Sequence, residues 1–168
     1  MVFGKLCLDR EMLAPLCVSN HTIEYIESYR YLGFHIISDL NFKFSSSETL
    51  RSFFGAVNSV LTAVRRPMEN VLMQLLYSNC VPILTYGAAV RDLNAAEMQR
   101  YNVAVNNAVR RIFGFRYWQS IRQLREFYCQ DPIEVMFAKA RKRFLDTLQN
   151  HDNGLLQLLH SLLVDIVD

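Results

Sequence analysis

The spacing of hydrophobic positions changes character once along this 168-residue chain, from the two-residue period of strands to the three-to-four-residue period of helices, near residue 43. Before the change, apolar, aromatic and β-branched residues in Thr22–Ile26 and Tyr29–Ile37 predict two strands lying as antiparallel neighbours. Met1-Val2-Phe3 is a further short strand candidate, and residues 9–21, around Pro15, Ser19 and Asn20, read as a connecting loop. Two or three strands alone would be marginally stable.

Beyond the change, Ser45-Ser46-Ser47-Glu48 offers a capping box, in which the Ser45 hydroxyl and the Glu48 carboxylate would satisfy orphan amides reciprocally. The stripe Leu50, Phe53, Phe54, Val57, Leu61 and Val64 then predicts a helix ending near Arg65-Arg66, before Pro67. A second helix is expected from about Met68 to Tyr86, with Leu72, Leu75, Leu76 and Ile83 facing a core, a kink from Pro82 and an end at Gly87. Asn94 caps a third, running to about Phe113 with Met98, Tyr101, Val105, Ala108, Val109 and Ile112 inward and Gly114 as its stop. Roughly opposite that stripe fall Arg100, Asn107, Arg110 and Arg111, a polar and basic surface without acidic interruption.

A short helix near Ser120–Tyr128 follows, then a longer one opened by Asp131-Pro132, with Asp131 as cap, Pro132 at the first helical position and Glu134 completing the pattern. Ile133, Met136, Phe137, Ala140, Phe144 and Leu148 would be its buried face, and Lys139, Arg141, Lys142 and Arg143 its charged side. Asn150, Asp152, Asn153 and Gly154 break the pattern. Leu155–Val167 is apolar on nearly every side; it is expected to close the core, with packing on a protein partner as the alternative. The fold class is therefore α+β, predominantly α-helical: a short antiparallel β-ribbon followed by a helical bundle.

Val71–Val90 contains no charge and has about the length of a membrane span, but Gln74, Ser78, Asn79, Pro82 and Thr85 argue for a buried, kinked helix, and no membrane partner is expected. The four cysteines form no CxxC or Cys/His pair with zinc spacing, and with no secretory segment the expected location is intracellular, nuclear or cytoplasmic. Net charge is +2, but unevenly spread: residues 1–43 come to −1, 44–150 to +6 and the tail to −3. Most of the positive charges are Arg, whose planar fork suits bidentate contact with phosphate.

Catalytic chemistry finds no constellation. Asp39, Asp92, Asp131 and Asp146 are scattered and explicable as turn or cap residues. His21, His35, His151 and His160 lack a nucleophile or ligand at useful spacing. No catalytic residue, metal ligand or cofactor is expected in this chain.

Several strings in order carry a resemblance: Met1-Val2-Phe3-Gly4-Lys5, the Ile23–Phe42 ribbon with Tyr31-Leu32-Gly33, Val81-Pro82-Ile83-Leu84-Thr85-Tyr86-Gly87, Asn106-Asn107-Ala108-Val109-Arg110-Arg111-Ile112-Phe113-Gly114, Asp131-Pro132-Ile133 and Arg143-Phe144-Leu145. The succession resembles the C-terminal palm edge and thumb of the reverse transcriptases of non-LTR (LINE-type) retrotransposons, over about residues 1–150. The resemblance implies that Tyr31-Leu32-Gly33 belong to the hairpin supporting the primer end, and that the following helices form a thumb gripping an RNA–DNA or DNA duplex. On that reading residues 1–43 are a residual palm-edge ribbon, 44–150 a thumb and connection region, and 151–168 an apolar C-terminal helix. The family's nucleotidyl transfer needs acidic palm residues and divalent metal; here no Asp-Asp pair occurs, so the chain is expected to be a catalytically incompetent fragment of an RNA-directed DNA polymerase.

The nucleic-acid-binding candidates are then Tyr31 and Gly33 on the ribbon and Arg100, Asn107, Arg110, Arg111 and Arg116 on the helical part, since a duplex can be held by its phosphates without reading sequence. The competing expectation is a helical protein-interaction module acting through Leu155–Val167, or a chain with no selected function.

Overall fold

The computed structural model of the chain describes Met1, Phe3, Ala14 and residues 16–39, 43–63, 68–91 and 93–165. Two compact units divide the chain, Met1–Arg51 and Ser52–Asp168. The architecture is α+β and mainly helical.

In the first unit, β1 (Leu16–Val18) and β2 (His21–Ile23) pair antiparallel, with Leu16 opposite Ile23. A separate sheet has the order β3 (Ser28–Tyr31), β4 (Phe34–Ile37), β5 (Lys43–Phe44), again antiparallel. Both hairpins turn on two residues with positive φ, Ser19 (48°) and Asn20 (66°) in the first, Leu32 (47°) and Gly33 (82°) in the second. Positive φ at both positions gives the turn whose twist matches that of the flanking strands.

This corrects three sequence expectations. Residues 9–21 were to be a loop, yet Leu16–Val18 is a strand; Tyr29–Ile37 was to be one strand, yet it folds back on itself. A two-residue turn inserts no break in the alternating pattern, so Tyr31 and Phe34 lie opposite each other while the apolar run reads through. Thr22–Ile23 and the Tyr29–Ile37 segment consequently belong to different sheets rather than pairing with each other. Of the strand expected at Met1-Val2-Phe3, Val2 lies outside the described residues, and Met1 and Phe3 are not in a strand.

α1 spans Ser46–Ala63 without the expected capping box. The Ser45 amide, which the Glu48 carboxylate would have needed, donates to the His35 carbonyl at 2.7 Å, and the Ser45 hydroxyl pairs with that of Ser47 at 2.9 Å. The end expected near Arg65-Arg66 lies outside the described residues. Phe53 and Val57 are fully buried, as their stripe requires, while Leu50, Phe54 and Leu61 are half-buried.

α2 (Glu69–Leu75) runs through a π-helical turn at Leu76–Cys80 into α3 (Val81–Thr85). Pro82 has no amide to donate and its ring crowds the carbonyl four residues earlier, which is how the sequence-predicted kink is realised as a widened turn. The widened turn also brings Leu72, Leu76, Cys80 and Leu84, four residues apart, to one buried row. Among the described residues no helix is long and apolar enough to cross a membrane.

α4 (Ala95–Phe113) begins and ends on its own sequence signals. The Asn94 side chain accepts from the Glu97 amide at 2.9 Å while the Glu97 carboxylate accepts from the Asn94 amide at 3.3 Å, and Gly114 closes the helix at φ 64°. Its buried residues Tyr101, Ala104, Val105, Ala108 and Val109 form the centre of the second unit, and α2 and the later helix Ile133–Gln149 pack against it. Each fully buried large apolar side chain here stabilises by roughly 1.5–3 kcal/mol.

α5 (Arg122–Phe127) is shorter than the expected Ser120–Tyr128. α6 (Ile133–Gln149) buries Ile133, Phe137 and Leu148 as patterned, but Asp131 does not cap it. The Asp131 carboxylate instead accepts from Lys139 at 2.5 Å, and Glu134 accepts from Asn102 of α4. α7 (Gly154–Asp165) packs along α6, but Leu155, Leu158 and Leu159 are exposed, so its described first turns do not close the core as expected.

Candidate nucleic-acid interface

Helical geometry sorts the basic residues of α4 before any contact is considered. Asn107 and Arg111 lie seven and eleven residues beyond Arg100, within about 20° of it around the helix, whereas Arg110 points about 100° away from Arg111. Arg100 and Arg111 are therefore aligned but separated by about 16 Å along the axis.

The structure gives each a different setting. Arg111 donates from Nη1 to the Asn58 side-chain oxygen of α1 at 2.8 Å and remains exposed. Half-buried Arg110 donates from Nε to the Gln119 carbonyl at 3.1 Å and from Nη1 to the Asn107 side chain at 3.1 Å. Arg116 lies over the Trp118 ring, its guanidinium carbon 5.2 Å from the ring centroid. Asn107, Arg110 and Arg116 are thus drawn to the C-terminal end of α4 and the loop after it, Arg111 faces α1, and exposed Arg100 stands apart toward the helix N-terminus. Tyr31 and Gly33 lie in the other unit, Tyr31 exposed at the end of β3 and Gly33 in the β3–β4 turn.

Beside Arg110 opens a cavity of about 480 Å³ lined by Asn106, Arg110, Ser120, Arg122, Arg125 and Gln130, with Glu126 the acidic side chain at its wall. Arg125 is fixed by donation to the Asn106 side chain at 3.1 Å and the Asp131 carbonyl at 3.3 Å. Arg122 pairs with Glu126 at 3.0 Å, but both are so exposed that the pair contributes little stability. The Tyr77 hydroxyl is buried beside the Arg125 guanidinium; burial raises its pKa, against a smaller lowering by that charge. Burial likewise pushes the Cys80 thiol up, which keeps it protonated and inert.

Reading the sequence by helix faces found Arg110 but missed Arg122, Arg125 and the exposed pair Tyr117-Trp118. The available signals were the absence of any Asp or Glu between Glu97 and Glu126, a stretch holding six arginines, and two adjacent aromatics in a loop where no period would bury them. Among the described residues no group of three or more His, Cys, Asp or Glu side chains is placed to hold a metal ion. Comparison with protein-family models, with curated proteins and with solved structures gave no match.

Proposed function

We propose that the second unit holds the sugar–phosphate backbone of an RNA–DNA or DNA duplex without reading its sequence, as the thumb of the non-LTR retrotransposon reverse transcriptases it resembles would. The observation that carries this reading is the gathering of arginines at the end of α4. Six arginines lie between Glu97 and Glu126 in the sequence with no Asp or Glu between them; of these Arg110, Arg122 and Arg125 line one cavity, whose acidic side chain is Glu126, and Arg116 lies in the adjoining loop. Guanidinium groups neutralise phosphates bidentately and release condensed counterions, which supplies affinity that is independent of base sequence. The proposal covers holding the duplex; nucleotidyl transfer and its divalent metal belong with palm aspartates of the kind this sequence does not pair.

Binding of a labelled blunt hairpin, followed by anisotropy across a salt series, tests it. Affinity should fall linearly on logarithmic axes, and Arg111→Gln and Arg116→Gln should each remove about one unit of slope. Both side chains are exposed, so circular dichroism should show both variants folded. Absent binding, or binding indifferent to salt, by a folded protein would overturn the reading.

A second reading has its own observation. Leu155 and Leu159 at the start of α7 are 73% and 39% exposed, which suits a helix that packs on another chain.

A further inference from the structure

The loop between α4 and α5 spends apolar surface on solvent. Tyr117 is 80% exposed and Trp118 61%, in a segment that is held rather than loose. Gly114 sets its exit angle, the Phe115 amide donates to the Arg110 carbonyl at 2.8 Å, the Arg116 amide donates to the Gln119 side chain at 2.6 Å, and the Arg110 guanidinium clamps the Gln119 carbonyl. A loop fixed by four such restraints presents its rings with little ordering left to do on binding.

The rings and the arginine cavity are neighbours in the same short segment, since Ser120, two residues after Trp118, lines the cavity and Arg110 touches both. Arg116 lies over the indole ring and the Tyr117 ring stands at 87° to it with centroids 4.8 Å apart, yet Trp118 stays 61% exposed and so keeps ring surface for a ligand. A planar ligand laid on the indole would lie beside the tyrosine, and an anion attached to that ligand could reach the cavity lined by Arg110, Arg122 and Arg125. Bases inside a duplex have both π faces already occupied by their neighbours, whereas an unpaired base has a face to give. The wall of three arginines against the single carboxylate Glu126, with Ser120 and Gln130, favours a phosphate-bearing strand over a lipid surface, which would need aliphatic area around the rings.

We propose that the Phe115–Ser120 loop and the adjoining arginine cavity bind a single-stranded segment of nucleic acid, an unpaired base stacking on Trp118 against Tyr117 and a backbone phosphate entering the cavity. This deepens the duplex reading, which it rests on for the shared arginines Arg110 and Arg116, by placing the junction between paired and unpaired strand at the end of α4.

Trp118 is the only tryptophan in the chain, so its emission reports on this loop alone. The full chain is titrated with oligothymidylate, with a blunt hairpin, and with the same hairpin carrying an oligothymidylate overhang. Oligothymidylate and the overhang should quench the emission, and the blunt hairpin should bind without quenching it. Followed by anisotropy of the labelled overhang hairpin, Trp118→Ala and Tyr117→Ala should each weaken binding roughly ten-fold while leaving the blunt hairpin unaffected. Arg122→Glu should weaken oligothymidylate binding and flatten its salt dependence.

The outcomes separate the two readings. Quenching by oligothymidylate without blunt-hairpin binding sinks the duplex reading and supports this one. Blunt-hairpin binding with no preference for the overhang, or an overhang bound equally by Trp118→Ala, overturns the single-strand site alone. A blue shift with anionic phosphatidylserine vesicles and no response to oligothymidylate would make the loop a membrane contact instead, and no binding of either nucleic acid removes both proposals.

Discussion

Arg91 shows what it takes to keep a charge inside the helical unit. Only 5% exposed, it donates from Nη2 to the hydroxyl of fully buried Tyr101 at 2.7 Å, and the Tyr101 ring in turn packs near Phe137 at 6.3 Å between centroids. Tyr101→Phe keeps the ring and its packing but removes the acceptor, so the buried guanidinium loses this hydrogen bond. A hydrogen bond to a charged group contributes about 1.5–3 kcal/mol, so urea unfolding should show a loss of that size with the slope against denaturant unchanged. Tyr117→Phe, whose ring stands in solvent, should stay within about 0.5 kcal/mol of the parent. Equal stabilities for the two variants would show that the Tyr101 hydroxyl is not what holds Arg91 inside. The same contrast applies to the arginines of the proposed interface: Arg110 and Arg125 carry structural hydrogen bonds and also line the cavity proposed to take phosphate, whereas Arg116 and Arg122 are exposed enough for substitution to read binding alone.

At the scale of elements, the β3–β4 hairpin holds a local conflict that makes a prediction. Its turn places Leu32 at φ 47°, a region that costs an L-residue with a bulky side chain roughly 1–2 kcal/mol and that Asn tolerates better. Leu32→Asn should therefore raise the stability of the first unit by up to about 1 kcal/mol, seen as slower amide exchange in Ser28–Tyr31 and Phe34–Ile37; faster exchange would show that the leucine side chain contributes more than its backbone costs. The same turn explains why the ribbon was only partly legible. Gly33 was visible as a special position, but a two-residue turn leaves the period of two intact, so the sequence could not tell one strand from a hairpin. Helix ends show the complementary case. Asn94, Glu97 and Gly114 act within their own helix and were readable, whereas Ser45 and Asp131 lost their expected capping roles to partners farther away along the chain, the His35 carbonyl and, two turns on, Lys139. Pro82 predicted a kink, but the row Leu72, Leu76, Cys80 and Leu84 depends on the π turn, which moves residues off the ordinary helical period. For the site, the basic face of α4 follows from angular spacing; Arg122, Arg125 and Trp118 join it only because the loop folds back so that Arg110 reaches Gln119, a tertiary fact that spacing does not contain.

For the whole molecule, the arginine-rich stretch and the exposed leucines of α7 lie on different elements, and this lets the two functional readings be tested in one protein. The arginine-rich stretch ends before Glu126, whereas the exposed leucines Leu155 and Leu159 belong to α7, and the charge excess of residues 44–150 is not shared by the acidic tail. If α7 packs on a second copy of the chain, burying those leucines drives association, and the dimer should build up with concentration in sedimentation equilibrium. Leu155→Lys together with Leu159→Lys should then return the chain to a monomer, because two ammonium groups would have to be desolvated in the contact. The helix itself should survive, since lysine has nearly the helix propensity of leucine and both positions are exposed. A blunt hairpin should still bind the monomeric variant with an undiminished salt slope, since no arginine has been removed. A parent chain that sediments as a monomer at every concentration ends the self-association reading, and a variant that loses hairpin binding together with association would mean that the duplex is held by paired copies rather than by one helical unit.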